Sequence, residues 1–270
     1  MARRVPFTAC LIVKNEELNL PDALKSVELA DEIVVIDSHS SDRTREIAAG
    51  FRGKGLDGRV VVPRVIERDW PGHVEQKNFA IDQASNDWVL CIDADERVSP
   101  ELRSEIEEAL SSDPPAADGF AMPRKTHYLG RWIVRSGWYP DRKLRLFRRS
   151  RGRWGGTNPH DHVSVAGLVE NFSGDLYHYS YRSMADHIRT INFFTDIAAA
   201  EKSKKRVRFP LLRMLVQPPF KFFKMFFLKQ GFREGRAGFI VAVLGTLYVF
   251  LKYAKLWELQ GRQWKDAPAP

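Results

Sequence analysis

The chain has 270 residues, of which 44% are hydrophobic and 28% are charged, and its 18 glycines and 15 prolines show no periodic placement. This composition is typical of a globular protein and excludes the collagen, coiled-coil and low-complexity classes. The net charge of +8 is concentrated in two stretches: residues 131–153 carry nine Lys/Arg and one acidic residue, and residues 201–236 carry eleven and two. Each stretch predicts an anionic partner such as phosphate, phospholipid or nucleic acid.

Apolar runs alternate with helical patterns along the first 110 residues. The runs predict strands at 7–13, 32–37, 60–66 and 88–92, and helices are expected between and after them, near 19–29, 42–49, 73–84 and 99–110. Strands that alternate with helices of about ten residues indicate an α/β fold: a Rossmann-like, mostly parallel sheet with helices on both faces. Cys10 and Cys91 lie inside strand-like runs, which predicts two buried thiols and no disulfide framework.

Residues 119–181 read as short strands and loops, and the chain from 182 onward reads as helical, with breaks at Pro210 and at Pro218-Pro219. The first apolar run is short and ends in charge, so no signal peptide is expected. The longest uncharged run, residues 237–251, has 15 residues, fewer than the roughly 20 needed to span a bilayer. The sequence therefore favours a cytoplasmic protein without a transmembrane helix.

Two carboxylates, Asp93 and Asp95, follow the apolar run at 88–92. At the exit of a strand both can reach one hard cation, Mg²⁺ or Mn²⁺, with positions left open for phosphate oxygens. Such a cation neutralises charge that develops on a diphosphate leaving group. The alternative is an acidic turn that caps the next helix, but further acidic strand ends, at Glu16/Glu17 and at Asp37, favour a metal site.

Asp37 ends the second predicted strand and precedes Ser38, His39 and Ser40. Its carboxylate can accept hydrogen bonds from a nucleobase imide or a ribose hydroxyl. A turn-forming Asp is the structural alternative.

Three segments resemble the nucleotide-sugar-binding motifs of family 2 glycosyltransferases with the GT-A fold: FTACLIVKNEE, ADEIVVIDSHSSDRT and QKNFAIDQASNDWVLCIDADE. Downstream, YPDRKLRLFRR, NPHDHV, LYHYSY and GFREGRAGF resemble the bacterial subgroup that includes lipopolysaccharide-core β-glucosyltransferases. The resemblance covers nearly the whole chain. It implies a metal-dependent, inverting hexosyltransferase that takes a nucleotide-sugar, with UDP the expected nucleotide.

The resemblance assigns donor-binding roles to six residues. Asp37 matches the position that contacts the base, and Glu16 or Glu17 the position near the ribose. Asp93 and Asp95 match the metal-binding DxD pair, with Asp95 the expected direct ligand. Lys77 stands where the family often has a basic residue near the nucleotide.

Asp161, within His160-Asp161-His162, lies where the subgroup usually shows a His-Glu pair whose carboxylate is the catalytic base. Asp is one methylene shorter than Glu, so this assignment departs from the family pattern. A base is needed because a sugar hydroxyl is a poor nucleophile. A structural role and a metal site are the alternatives, and no third ligand is evident for the latter.

Basic and aromatic residues at 131–154 have two interpretations. Arg142 and Lys143 can lie near a diphosphate or an anionic acceptor, or the alternation can be an edge strand with its basic residues outward. Candidate platforms for stacking on a sugar are Trp132, Trp138, Tyr139 and Trp154, and packing in the core is the alternative for each.

The segment KFFKMFFLK predicts a basic amphipathic helix. At 100° per residue, Phe222, Phe223, Phe226 and Phe227 share one arc, and Lys221, Lys224 and Lys229 the opposite one. Such helices lie on anionic membrane surfaces. Packing on the catalytic domain or formation of a homo-oligomer is the alternative.

These features predict a GT-A catalytic domain at 1–181 (nucleotide-sugar binding at 1–112, acceptor side at 119–181) and a helical, membrane-associating or oligomerising extension at 182–262. The expected location is the cytoplasmic face of the inner membrane, and the expected acceptor is a lipid-linked saccharide. Transfer to a polyprenyl phosphate and a noncatalytic sugar-nucleotide-binding scaffold are the alternatives. Nucleic-acid binding is disfavoured, because the aromatic residues between the lysines at 220–229 suit lipid better than bases.

Overall fold

The computed structural model describes residues 4–56, 58–111, 115–157, 160–204 and 207–261, with the backbone alone at Thr157, His160 and Gly261. The chain divides into two compact units. The first unit comprises the described residues of 4–125 and 141–179, and the second comprises those of 126–140 and 180–261. Residues 126–140, which lie inside the expected 1–181 domain, therefore pack with the C-terminal helices. Residue 262, the expected end of the extension, lies outside the described residues.

The strands are numbered in chain order: β1 (Phe7–Val13), β2 (Glu32–Asp37), β3 (Gly53–Lys54), β4 (Val60–Val61), β5 (Arg64–Glu67), β6 (Trp88–Asp93), β7 (Glu96–Val98), β8 (Gly119–Tyr128), β9 (Arg131–Ile133), β10 (Asp141–Arg148), β11 (Gly152–Thr157), β12 (His160–Val165), β13 (Val169–Asn171) and β14 (Leu176–His178). The helices are α1 (Leu20–Ser26), α2 (Thr44–Gly50), α3 (His73–Asp82), α4 (Pro100–Ala109), α5 (Met184–Lys204), α6 (Pro210–Phe223) and α7 (Gly235–Gly261).

The main sheet has the strand order β5-β2-β1-β6-β10-β8-β14-β7. Strands β5, β2, β1 and β6 are parallel, and β10 runs antiparallel to its neighbours β6 and β8. Because β1 lies between two strands and is covered on both faces, its residues form a continuous apolar run. Alternate side chains of β1 enter two separate hydrophobic clusters, one on each face. The predicted α/β class is confirmed, and Cys10 and Cys91 are free and buried.

Register places the acidic strand ends at one edge of the sheet. Asp37 pairs with Val13, and Asp93 with Ile12, so the carboxyl ends of β2, β1 and β6 are adjacent. The helix after β7 begins as predicted: Pro100 is its first residue, and Ser99 Oγ accepts a hydrogen bond from the Leu102 N–H at 3.1 Å.

The single strand predicted at 60–66 is wrong. The structure has two short strands there: β4 pairs with β3 in a separate two-stranded sheet, and β5 pairs with β2. Pro63 lies between them and has no backbone N–H to donate to a ladder, so the strand is interrupted.

In the second unit, Tyr128 and Ile133 form a hydrophobic cluster with Met225, Val241 and other residues of the C-terminal helices. Glu234, which is 2% exposed, fixes the β9 hairpin to these helices. Its Oε2 is 3.0 Å from Arg131 Nη2, and its Oε1 accepts a hydrogen bond from the Val134 N–H at 3.0 Å.

The break predicted at Pro218-Pro219 is wrong, because α6 continues through both prolines. Pro218 is buried, and α6 packs along α7, so tertiary packing offsets the backbone hydrogen bonds that the prolines cannot make. A π-helical turn follows at Lys224–Leu228 and a 3₁₀ turn at Gly231–Glu234.

The four phenylalanines of KFFKMFFLK do not form one face. Phe222 and Phe226 are partly buried against the hydrophobic cluster of the second unit, whereas Phe223 and Phe227 are exposed. The π-helical turn has i→i+5 bonds, so the spacing of 100° per residue assumed from the sequence does not hold across it.

One helical segment, Gly231–Gln260, is long and apolar enough to cross a membrane by length and composition alone. The sequence-based expectation of no clear transmembrane helix rested on the length of the uncharged run; Lys252 and Lys255 interrupt that run without making the helix as a whole polar. Within the second unit, 39% of its most apolar window is buried.

Candidate active site

Asp93 lies at the end of β6 between two basic side chains. Its Oδ1 is 3.1 Å from Lys77 Nζ, and its Oδ2 accepts a hydrogen bond from Arg145 Nη2 at 2.7 Å. Burial acts to raise the pKa of Asp93, but the charges of Lys77 and Arg145 outweigh it and hold the pKa well below its usual range. Asp93 is therefore ionised at neutral pH, with a cation at each oxygen.

Arg145 reaches the site because of a β-bulge in β10. The register shifts between Leu144 and Leu146, so the regular alternation of the strand is broken at Arg145, and Arg145 is only 4% exposed. One nitrogen, Nη2, donates to both Asp93 Oδ2 and Glu96 Oε1 at 2.7 Å. Burial alone would lower the pKa of Arg145, but the two carboxylates raise it.

Lys77 on α3 joins Asp93 to Asp161 on β12. Its Nζ donates a hydrogen bond to Asp161 Oδ2 at 2.8 Å and lies 4.3 Å from the ring centroid of Trp154. Lys77 is 7% exposed, and the Asp161 side chain is 14% exposed. Two carboxylates that are distant in sequence are thus held by one buried ammonium group.

Asp95 has a different environment from Asp93. Its Oδ2 is 3.2 Å from His178 Nε2, on β14, and a quarter of its side chain is exposed. Burial acts to raise the pKa of Asp95, but the hydrogen bond and charge of His178 outweigh it, and the pKa is lowered. This leaves a carboxylate and an imidazole next to each other at the edge of the sheet.

Asp93, Lys77 and Asp161 line one cleft of about 510 Å³ in the first unit. Arg142 and Lys143, both expected near an anionic group, also line it, together with Arg124, Arg145 and Trp154. The lining therefore holds five Lys/Arg side chains and two carboxylates. Among the described residues, Arg145 Nε is a buried donor without a hydrogen-bond partner. Excess positive charge and an unused donor suit an anionic ligand.

Asp37 is fully buried, and both of its oxygens accept hydrogen bonds from Ser40. Ser40 Oγ in turn accepts a hydrogen bond from the Asn15 N–H at 2.9 Å. Asp37 therefore shapes the turn after β2 and ties it to the end of β1, as the turn-forming alternative describes.

Glu16 and Glu17 connect the loops after β1 and β2. The Glu16 N–H donates to Thr44 Oγ1 at 2.7 Å, and the Glu17 N–H donates to Asp42 Oδ2 at 3.1 Å. Glu17 Oε2 also accepts a hydrogen bond from the Arg43 N–H at 3.2 Å. Both residues fix the position of loops at the carboxyl edge of the sheet, outside the residues that line the cleft.

Trp138 lies in the second unit. Its ring centroid is 5.9 Å from that of Tyr128, and it packs in the hydrophobic cluster of that unit. It is not among the described residues that line the cleft. Trp154 lies in the cleft instead, beneath Lys77.

The sequence did not predict the roles of three residues of this site. Arg145 belongs to a run of basic residues that the alternating pattern of β10 places on the surface. The β-bulge turns its side chain inward, and the sequence pattern does not show this bulge. Glu96 is fully buried and pairs with Arg124 and Arg145, and His178 contacts Asp95. The available signals were the position of Glu96 at the end of the DADE segment and the position of His178 inside the LYHYSY motif.

Comparison with known proteins identifies the family. The profile described as glycosyl transferase family 2 matches residues 8–173. The chain belongs to glycosyltransferase family 2. It is 31% identical over 262 residues to the lipopolysaccharide core biosynthesis glycosyltransferase LpsC of Rhizobium meliloti (strain 1021), covering 96% of this chain and 94% of that protein. It is 32% identical over 260 residues to an uncharacterized glycosyltransferase of Rickettsia typhi, covering 92% and 86%.

Among solved structures, this glycosyltransferase is similar to the mannosyltransferase PcManGT from Pyrobaculum calidifontis, determined in complex with GDP-Man and Mn²⁺. The TM-score is 0.53 at 15% identity, with 94% of this chain and 87% of that chain covered. At this identity the likeness concerns the fold, and the GT-A architecture implied by the sequence motifs is confirmed.

Proposed function

We propose that this family 2 glycosyltransferase moves a sugar from a UDP-sugar to a saccharide acceptor with inversion at the anomeric carbon. The observation that carries the proposal is the cleft in which Lys77 joins Asp93, at the end of β6, to Asp161 on β12. A single displacement needs the donor site and the base next to each other. Asp93, of the proposed donor site, and Asp161, the proposed base, are both within hydrogen-bond distance of Lys77 Nζ.

The donor diphosphate has a chemically suitable partner in Arg145. Its guanidinium is held by Asp93 and Glu96, and its Nε is a buried donor without a partner among the described residues. Arg142 and Lys143 add positive charge to the same cleft. Guanidinium and ammonium groups of this kind suit a ligand with two phosphates.

Asp95 and His178 fit a divalent cation, Mg²⁺ or Mn²⁺. An ionised carboxylate 3.2 Å from an imidazole nitrogen is a suitable donor pair for Mn²⁺. The described residues contain no group of three or more His, Cys, Asp or Glu side chains that would complete a site alone, so diphosphate oxygens would supply further ligands. Asp93 is the weaker candidate of the DxD pair, since both its oxygens are ion-paired. When bound, the cation neutralises charge on the leaving diphosphate.

Asp161 is proposed as the base. Its carboxylate takes the proton from an acceptor hydroxyl, the hydroxyl oxygen forms a bond to the anomeric carbon, and the bond from that carbon to the diphosphate breaks on the opposite face. One displacement inverts the configuration, so an α-linked donor gives a β-linked product. Lys77 fixes the position of the Asp161 carboxylate through its 2.8 Å contact.

The acceptor is proposed to be a lipid-linked saccharide such as the lipopolysaccharide core. The support is the similarity to LpsC along 96% of the chain, which includes the second unit. Transfer to a polyprenyl phosphate is the second candidate. This candidate is favoured by the five basic side chains of the cleft, because their positive charge suits an acceptor that is already anionic.

The first experiment is calorimetric titration of UDP, GDP, ADP and CMP, each with Mn²⁺ and with EDTA. We expect one nucleotide, UDP, to bind in a metal-dependent way. Asp95→Asn should remove the metal dependence, whereas Asp161→Asn, a matched removal of one charge in the same unit, should leave UDP binding unchanged. Absence of binding by every nucleotide, or UDP binding that is equal in Mn²⁺ and EDTA, would contradict the proposed donor site.

A further inference from the structure

Helix α6 carries an apolar surface that faces outward. Its exposed hydrophobic side chains recur at helical spacing and form a stripe, called here the α6 stripe: Leu211, Leu212, Leu215, Val216, Phe220 and Phe223. Leu215 and Phe220 are the most exposed of these, at 66% and 61%. An exposed contiguous apolar patch on a protein surface marks an interaction site.

The stripe is not the face that α6 uses for packing. Pro218 is buried, and Met214 and Phe222, which are four residues before and after it, pack against hydrophobic clusters of the second unit. The helix is therefore apolar on both sides, one directed into its own unit and one into solvent. Packing within the second unit accounts for the first side only.

The charges around the stripe are of one sign. Residues 202–233 include ten Lys/Arg and no Asp or Glu. Arg208, Arg213, Lys224 and Lys229 are exposed on α6 or on the turns at its two ends. Apolar side chains flanked by exposed cations are complementary to a surface that is apolar within and negatively charged at its boundary. A lipid bilayer with anionic headgroups has this character, and a second copy of this basic surface does not.

We propose that the α6 stripe docks this protein in the plane of an anionic bilayer, with its leucines and phenylalanines below the headgroups and Arg213, Lys224 and Lys229 among them. The surface lies at the side of α6, so the long apolar helix α7 remains packed against α5 and α6. The inference goes beyond the proposed activity, since it concerns where the enzyme resides and not which bond it makes.

Vesicle sedimentation with the full chain tests the proposal. We expect binding to vesicles of phosphatidylcholine mixed with phosphatidylglycerol, weaker binding to pure phosphatidylcholine, and a loss of binding at high salt. The double variant Leu215→Glu/Phe220→Glu should lower partitioning more than tenfold, because two large apolar side chains leave the interface. Lys224→Gln should lower it about fivefold on anionic vesicles only.

Leu168→Glu is the matched control, because Leu168 is an exposed leucine of the first unit, 56% exposed, outside the stripe. It should bind vesicles as the wild type does. Circular dichroism and UDP titration of each variant separate loss of docking from loss of folding. UDP binding also separates this proposal from the proposed function, since either can fail while the other holds.

Three results would overturn the proposal. Unchanged vesicle binding by Leu215→Glu/Phe220→Glu would exclude the stripe as the docking surface. Resistance of vesicle-bound protein to extraction at alkaline pH would show a spanning helix in place of surface docking. A dimer in solution that the double variant abolishes, without any vesicle binding by the wild type, would assign the stripe to a second copy of the chain.

Discussion

Lys77 Nζ donates a hydrogen bond to Asp161 Oδ2 at 2.8 Å, across 84 positions of sequence. The same nitrogen lies 3.1 Å from Asp93 Oδ1, so the proposed base and the first carboxylate of the DxD pair share one cation. The family resemblance implied only that Lys77 lies near the nucleotide. The structure indicates a second role for it, which is to hold β12 and its carboxylate against the end of β6.

We expect Lys77→Met to lower kcat by roughly two orders of magnitude, because the Asp161 carboxylate loses the group that orients it and proton transfer depends on that orientation. Lys77→Arg keeps the charge and should retain more activity than Lys77→Met. Steady-state kinetics of both variants, with circular dichroism to confirm folding, measures the difference. Equal activity of Lys77→Met and the wild type would show that the contact has no role in catalysis.

Asp161→Asn distinguishes the two candidate acceptors. If the acceptor is a saccharide hydroxyl, loss of the base should reduce transfer by about 10²–10⁴-fold at unchanged UDP affinity. If the acceptor is a polyprenyl phosphate, its oxygen is already ionised and most activity should remain. Transfer is measured with a radiolabelled UDP-sugar and each acceptor in turn. Unchanged UDP affinity of the variant, measured by calorimetry, serves as the check that the donor site is intact.

Arg145→Lys tests whether the guanidinium serves the donor. Lysine keeps the positive charge beside Asp93 and Glu96 but cannot present two separate nitrogens to carboxylate and phosphate at once. We expect UDP affinity to fall by about tenfold or more, with the unfolding temperature close to that of the wild type. Arg148→Lys, on the same strand but outside the residues that line the cleft, is the control. UDP affinity unchanged by Arg145→Lys would remove Arg145 from the proposed donor site.

The sequence was sufficient for the parallel strands β1, β2 and β6 and for the common edge of Asp37 and Asp93. Both follow from local patterns: an apolar run buried on two faces, then an acidic turn. Arg145 could not be placed in this way, because a single extra residue in β10 reverses its direction and no local pattern marks the bulge. The pairing of Lys77 with Asp161 depends on the packing of the β11–β12 hairpin beside α3, which is a long-range contact.

In the C-terminal region, local sequence patterns gave wrong predictions. Proline spacing predicted a helix break at 218–219, and the helix continues because packing along α7 compensates for the missing backbone donors. A uniform helical angle predicted one phenylalanine face, and a π-helical turn divides it. Propensity and periodicity describe isolated helices, whereas in this unit the neighbouring helices decide the geometry.

His187 is expected to make stability depend on pH. It is buried in the second unit, with its ring stacked on Tyr181 at 3.9 Å, and burial lowers its pKa to about 4, an effect that Asp186 only partly opposes. In the unfolded chain the pKa of histidine is about 6.5. Above that value neither state binds the proton. Between the two values the unfolded state binds it preferentially, so stability falls by about 1.4 kcal/mol per pH unit as the pH decreases.

Urea unfolding of the wild type and of His187→Phe across this pH range measures the effect. Phenylalanine keeps the stacking on Tyr181 and cannot be protonated. The wild type should therefore lose stability relative to His187→Phe as the pH falls from neutral. A constant difference between the two proteins at all pH values would show that His187 does not titrate in this way.

Gly238 is required by the close approach of α7 to the 3₁₀ turn at Gly231–Glu234. A Cβ at position 238 would overlap the carbonyl oxygen of Gly231 and lie 2.8 Å from the Cβ of Glu234. The turn would have to move, and Glu234 with it, which disturbs its bonds to Arg131 and to the Val134 N–H. We expect Gly238→Ala to lower the free energy of unfolding by about 1–3 kcal/mol, the usual cost of overpacking.

Gly50→Ala is the control, because no atom lies within 4 Å of a Cβ placed there. Alanine favours a helix over glycine by about 1 kcal/mol, so this variant should be as stable as the wild type or more so. Thermal unfolding of both variants provides the comparison. Glu234 fixes the β9 hairpin to the C-terminal helices. If Gly238→Ala destabilises the protein and Gly50→Ala does not, the GFREGRAGF segment is needed to join the β9 hairpin to these helices. Equal stability of the two variants would mean that α7 can shift away from the turn at little cost.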